Sequence, residues 1–447
     1  MIKRLLAIIL VVIISSFCTS CDYSTDRTNS LEQIPSYIES SSDVTSSVIN
    51  SNLTEISSNT SSSNSSLTDN EQTEVIRDLK MKAVWIEYTD NLFNKVDETE
   101  FIKRAAERFE NIKKSGFNTV ILHTRSNADA IYPSSYFPFA KSLTGVQGQD
   151  PGFDPLEIAI ELAHKEGLEI HAWINPYRIS ALSSDINTLS DNHIAKIWKE
   201  DTEKGTDSYV IPWDNKLFFN PSCNEVQKLI INGVQEILDN YDVDGIHFDD
   251  YFYPDSDANF DIGSYAAYCR NTKFPLSQGD WRRNNVDTLV ATVYRIVNEK
   301  GKVFGISPAA PISQDNSDRN YNEYYINVKK WMANKGYINY IAPQLYFGYK
   351  HKLESTRFDK LLSAWTSAKR IDDIELYIGL AAYKIGLDNN ADLDEWATEN
   401  DILKREYIDC TKVDTDGIII YNYSAFFSDN ELNKQQRENL INIMNGE

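Results

Sequence analysis

The segment DGIHFDDYFYP, residues 244–254, runs apolar into two adjacent carboxylates, Asp249 and Asp250, with Tyr251, Phe252 and Tyr253 directly behind them. Carboxyls so placed can perform glycoside cleavage: one protonates the departing oxygen, another attacks the anomeric carbon or activates water, and aromatic rings stack on sugar faces. If the apolar run is a strand, alternation puts Gly245, His247 and Asp249 on one face and Ile246 and Phe248 on the other. Asp249 is then the candidate nucleophile or charge stabiliser. Asp250 falls on the opposite parity and ranks behind it; an acidic turn or a helix cap is the competing reading of the pair.

A second carboxyl must serve as the acid, and Asp250, Glu87 and Asp129 are the candidates. Glu87 ends an apolar run, where burial would suit a proton donor; pairing with Arg125 or Arg178 is the alternative. Asp129, in RSNADA, could equally cap a loop or pair with a cation. Trp173, Tyr253 and Tyr346 are candidate sugar platforms, and Arg125, Asn175, Arg178, His247 and Gln344 candidate partners for hydroxyls or an acetamido group. His123, His171 and His247 raise a metal-dependent deacetylase as another possibility. None stands in an HxH or HExxH spacing, so no metal or other cofactor is expected.

Positioning these side chains requires a scaffold that gathers strand ends. Eight runs read as strands: Ala83–Glu87, Thr119–Thr124, Leu168–Ile174, Asp244–Asp249, Val303–Ser307, Ile338–Tyr346, Glu375–Ala382 and Gly417–Tyr421. Helical patterns lie between them, such as Glu100–Lys114 before Gly116 and Pro155–Glu166 before Gly167. This alternation predicts an α/β fold, a (β/α)8 TIM barrel over residues 75–447, with an open doubly wound sheet as its rival. Barrel sites sit at C-terminal strand ends, which is where the candidates fall. The long connections 176–222 and 251–281 would wall a cleft there.

Ahead of the barrel, Lys3 and Arg4 precede an apolar run to Ile14 and then SSFCTSC, the order of an export signal over residues 1–21. Small residues before Cys21 resemble a lipoprotein cleavage box, with Cys18 where Leu is usual. The chain is therefore expected outside the cytoplasm, tethered to a membrane by lipid on Cys21 or simply secreted. Residues 22–74, rich in Ser, Thr and Asn, read as a disordered linker. A net charge of −22 over 447 residues argues against a nucleic-acid partner, since no basic patch offsets it. A neutral or sugar-like polymer fits better; the oligomeric state leaves no trace.

The blocks NTVILHTRSNADAIYPSSYFPFA, LEIHAWINPYRIS, FNPSCNEVQKLIINGVQEILDNYDVDGIHFDDYFYP, YIAPQLYF and YIGLAAYKIG, in that order, resemble the bacterial glycosyl hydrolase-like 10 family. The resemblance covers nearly all of the chain from Lys82. It implies a (β/α)8 barrel on a secreted protein or lipoprotein, and a polysaccharide substrate, namely peptidoglycan strands stripped of peptides. It supplies no catalytic pair. The fourth-strand segment is also similar to that of α-amylase-like barrels, whose nucleophile matches Asp249, but His247 replaces their Arg and the fifth strand ends without their acid. Chitinase-like barrels carry a Glu where this chain has Tyr251. The missing fifth-strand acid keeps a second reading open, a carbohydrate-binding protein on a degenerate hydrolase barrel.

Overall fold

The computed structural model describes residues 77–201, 206–388 and 390–446. The expected export signal with Cys21, the linker 22–74 and the first two residues assigned to the barrel lie outside the described residues.

Eight parallel strands close into a barrel in sequential order: β1 Met81–Ile86, β2 Thr119–Arg125, β3 Glu169–Ile174, β4 Gly245–Phe248, β5 Val303–Ile306, β6 Tyr340–Ile341, β7 Glu375–Ala381 and β8 Gly417–Tyr421. Val84 of β1 registers with Ile420 of β8, which closes the ring and excludes the open sheet. β6 is shorter than its apolar run suggested. Pro343 has no N–H for the ladder, and only isolated bridges from Gln344 continue it.

Strand parity divides the side chains between two cores. Met81, Ala83, Trp85, Ile121, Trp173, Tyr340, Tyr377 and Ile419 pack inside the barrel. Their neighbours Val84, Ile86, Val120, Leu122, Ile246, Phe248, Ile418 and Ile420 face out into the layer beneath the helices. Helix Glu98–Lys114 is capped by the Asp97 side chain on the Glu100 N–H and stops before Gly116, whose φ is +82°. The connection after β3 is more structured than the sequence suggested. It holds a three-stranded antiparallel sheet of Arg178–Ser180, Lys216–Phe219 and Val210–Trp213.

Several inward positions carry no side chain, and the closest packing is at Gly305. A Cβ on Gly305 of β5 would overlap the buried Tyr340 ring, so the barrel accommodates that tyrosine only opposite glycine. Gly305→Ala is expected to destabilise the fold by about 3 kcal/mol through overpacking, read by urea unfolding. Native-like stability in that variant would mean the ring has room to move.

Candidate active site

Inward parity brings Trp85, Glu87, Trp173, Asp249, Ser307, Gln344 and Tyr421 to the C-terminal mouth of the barrel, where they line a cavity of about 420 Å³ with Tyr251, Tyr346, Tyr383 and Asn422. That volume lies within the usual range for small-molecule sites. A cavity of about 660 Å³ elsewhere, between helix Glu98–Lys114 and the C-terminal segment, is lined mainly by surface ion-pairing residues and gathers no strand-end carboxylates.

Asp249 is 2% exposed and its Oδ2 has no hydrogen-bond partner among the described residues. Burial, reinforced by the neighbouring Asp250 charge, pushes its carboxyl up to about 8, although Arg178 opposes the shift. Asp250 is 8% exposed and is pushed up by burial to about 6. It lies outside the cavity lining, and Tyr324 and Arg319 of the segment after β5 feel its charge. The two carboxyls thus differ in environment as well as in parity.

Glu87 enters the same cavity from β1. Tyr421 donates its hydroxyl to Glu87 Oε2 at 2.5 Å and Asn422 Nδ2 donates to Oε1 at 2.6 Å, which holds the carboxylate in one orientation. These contacts replace the pairing with Arg125 or Arg178 considered from sequence. Tyr346 and Tyr421 stack at 5.4 Å and 23°, and Tyr383 stands edge-on to both.

Beneath this floor runs a polar line. The Trp85 indole can only donate, so its contact at 3.3 Å makes His247 Nε2 an acceptor, and burial keeps His247 neutral. Its proton therefore sits on Nδ1 and goes to the Tyr340 oxygen at 2.9 Å, which in turn donates to His171 Nδ1 at 2.9 Å. Ser307 Oγ lies 3.0 Å from the same His247 Nε2 and 3.5 Å from the Phe248 carbonyl oxygen, two acceptors for its hydroxyl. His123 stacks on Trp173 at 3.8 Å and bonds Asn175 Oδ1 at 2.6 Å. His123 Nδ1 and His171 Nε2 have no hydrogen-bond partner, and no group of three or more metal-ligating side chains occurs among the described residues.

Several sequence expectations are corrected. Arg125 shares the parity of His123 on paper, but a register shift between them pairs Arg125 with Ile174 and turns it into the outer layer, where its guanidinium lies 4.2 Å from the Phe137 ring centroid. A one-residue slip reverses the face. Tyr253 is fully buried against Tyr325, Phe260 and Arg282 and offers no sugar platform; Tyr251, 46% exposed, lines the cavity instead. His247 and Asn175 are buried and do not line the cavity; His247 contacts Ser307, and Asn175 contacts His123. Asp129 receives Gln147 Nε2 at 3.0 Å and lies on another cavity, so it is no partner for Asp249. Arg178 donates Nε–H to the Ser126 carbonyl and spans the Tyr88 and Tyr251 rings at 5.7 and 5.2 Å. Sequence reasoning missed Trp85 and Tyr251. The first shares the parity of Glu87 and could have been found; the second depends on how the loop turns.

Comparison with known proteins agrees with this architecture. The Glycosyl hydrolase-like 10 family profile matches residues 80–398. The glycosyl hydrolase YngK of Bacillus subtilis (strain 168) is 37% identical over 336 residues, 70% of this chain but only 62% of that protein. The glycosyl hydrolase DigH of Escherichia coli (strain K12) is 28% identical over 356 residues, covering 76% of this chain and 78% of its own length. Among solved structures, the glycoside hydrolase domain of PgaB (BpsB) from Bordetella bronchiseptica superposes with a TM-score of 0.55 at 13% identity, over 82% of this chain and 99% of that one. The β-amylase catalytic domain from Paenibacillus polymyxa gives 0.52 at 10% identity, over 83% and 100%. These two show a shared fold only. The closed barrel, the strand-end carboxylates and the sequence match over most of the barrel together place the chain in the glycosyl hydrolase-like 10 family.

Proposed function

We propose that the protein is a glycoside hydrolase that cleaves cell-wall glycan, peptidoglycan strands stripped of peptides, at the C-terminal face of its barrel. The observation that carries this reading is the pair of carboxyls, Asp249 and Glu87, on one aromatic-walled cavity in unlike environments. A buried carboxyl pushed up to about 8 keeps its proton at neutral pH and can hand it to the glycosidic oxygen as the C1–O bond breaks. Glu87, held by Tyr421 and Asn422, then attacks C1 directly or takes a proton from the attacking water. This assignment makes Asp249 the acid, the reverse of the role suggested by the fourth-strand comparison. On the same reading the chain works outside the cytoplasm, anchored through Cys21 or secreted.

The test is incubation of the purified protein with peptide-free glycan strands, reading new reducing ends and the anomer first released. Reducing ends should accumulate, with retention if Glu87 is the nucleophile and inversion if it activates water. Tight binding without new ends would instead favour a carbohydrate-binding protein, in keeping with a fifth strand that reaches Ser307 without an acid.

A further inference from the structure

After β4 the chain leaves the cavity at Tyr251 and goes on to build a helix, Ile262–Asn271, none of whose residues is buried. The loop behind that helix, residues 272–277, carries Phe274, Pro275 and Leu276 in succession, all exposed. Phe274 is 79% exposed, more than any other aromatic ring among the described residues, and Leu276 is 43% exposed. A loose loop could fold such side chains back, but this one is braced. The Leu276 N–H donates to the Tyr268 hydroxyl at 3.1 Å, and the Tyr265 hydroxyl donates to the Leu276 carbonyl at 2.9 Å. Both rings pack on Trp281, at 5.3 and 5.6 Å, and the Ser277 side chain caps the next helix on the Asp280 N–H. The fold holds an apolar tip out in water although burial of the same side chains would be favourable.

The charge around the tip runs against that of the whole chain. From Ile262 to Gly279 there is no acidic residue and there are two basic ones, Arg270 and Lys273, in a protein of net charge −22. Both are exposed, and Lys273 Nζ lies 5.3 Å from the Phe274 ring centroid. The carboxylates on either side are engaged elsewhere, Asp261 with Arg282 and Asp280 with Arg283. Arg270 and Lys273 themselves have no carboxylate within ion-pair distance among the described residues. Two charges are few for a nucleic-acid face. Beside an apolar wedge, and with the half-buried Tyr265 and Tyr268 rings behind it, they form the residue arrangement of a segment seated at a lipid–water boundary. A stable protein partner needs about 800 Å² on each side, far more than Phe274, Pro275 and Leu276 offer, whereas a bilayer takes a wedge without a matching shape.

We propose that the loop 272–277 is a docking tip for an anionic lipid surface. Phe274 and Leu276 enter the boundary between headgroups and acyl chains, and Arg270 and Lys273 meet the headgroup charges. This contact goes beyond the glycan-cleaving reading and does not depend on it. It adds a second attachment to the lipid expected on Cys21. A lipid chain alone leaves the orientation of the barrel free, and a docked tip fixes it. The connection that carries the tip also borders the cavity at Tyr251, so docking holds the mouth at a set distance from the surface.

The test uses the full chain carrying Phe274→Trp, titrated with vesicles of phosphatidylglycerol and phosphatidylcholine in equal parts whose acyl chains bear bromine. Emission of the added indole should move to the blue and be quenched, beyond any change in the unsubstituted protein. Vesicles of phosphatidylcholine alone should need about tenfold more lipid for the same quenching, and so should Arg270→Gln/Lys273→Gln in the Phe274→Trp background. Lys103→Gln, which removes a charge paired with Glu100 on another helix, should change nothing. The readout sits at residue 274, so the apolar run from Leu5 to Ile14, present in every variant, cannot mimic it. An unquenched indole, an equal response to the two vesicle compositions, or a response untouched by the double charge substitution would overturn the tip. A concentration-dependent dimer in light scattering that disappears in Phe274→Ser would also overturn it, by assigning the tip to a second copy of this chain. Cleavage enters neither readout, so the docking tip and the hydrolase reading stand or fall separately.

Discussion

Asp249→Asn is expected to lower glycan cleavage about 10³-fold while making the protein more stable at neutral pH. The loss follows from removing the proton donor, since general acid catalysis contributes roughly 10²–10⁴. The gain follows from linkage. The folded-state carboxyl is raised from its ordinary value of 3.8 to about 8, so between those limits the folded protein holds a proton that the unfolded chain has released. Its contribution to stability is fully present below pH 3.8 and is lost as pH rises toward 8. Asparagine, which has no charge to desolvate, removes that slope and is expected to add about 2 kcal/mol at pH 7.5 and much less at pH 4.5. Reducing-end release and thermal unfolding at both pH values check the two halves. A variant that cleaves as well as the native protein would remove Asp249 from catalysis, and one destabilised at pH 7.5 would mean its carboxyl is not held in the neutral form.

The second expectation concerns the partner and the pH profile. Glu87→Gln should cost about 10²-fold or more in kcat, because the amide can neither attack C1 nor take a proton from water, while substrate binding changes little. In the native enzyme kcat/KM should fall as pH rises through about 8, where Asp249 gives up its proton. Asp250 helps hold that proton by repulsion, so Asp250→Asn should move the alkaline limb to lower pH. A rate that instead climbs through pH 8 would reverse the roles and make Asp249 the nucleophile or base. Activity of Glu87→Ala with added azide would identify Glu87 as the attacking group.

The reach of local rules explains what could be read in advance. Eight apolar runs at βα spacing define the barrel, and period-two alternation picks Glu87, Trp173, Asp249 and Gln344 as inward strand-end residues without any tertiary knowledge. The same rule separates Asp249 from Asp250. It fails at Arg125, where the shift after His123 inserts a residue that alternation cannot anticipate and turns a candidate ligand into outer-layer packing. It also fails beyond β4, where Tyr253 and Tyr251 exchange their expected places because burial of the loop is decided by Phe260 within it and by Tyr325 and Arg282, which are distant in sequence.

The amino-acid sequence by itself determined the barrel, its polar mouth and the residues that point there, because side-chain alternation and apolar spacing are properties of neighbouring residues. Only the tertiary structure decided the environment of each. Burial beside Asp250 makes Asp249 a proton holder, and donors from β8 fix Glu87. Contacts between the segments after β1, β3 and β4 set the Tyr88–Arg178–Tyr251 stack. Desolvation and charge proximity depend on what the folded chain packs around a group, and no stretch of sequence carries that information alone.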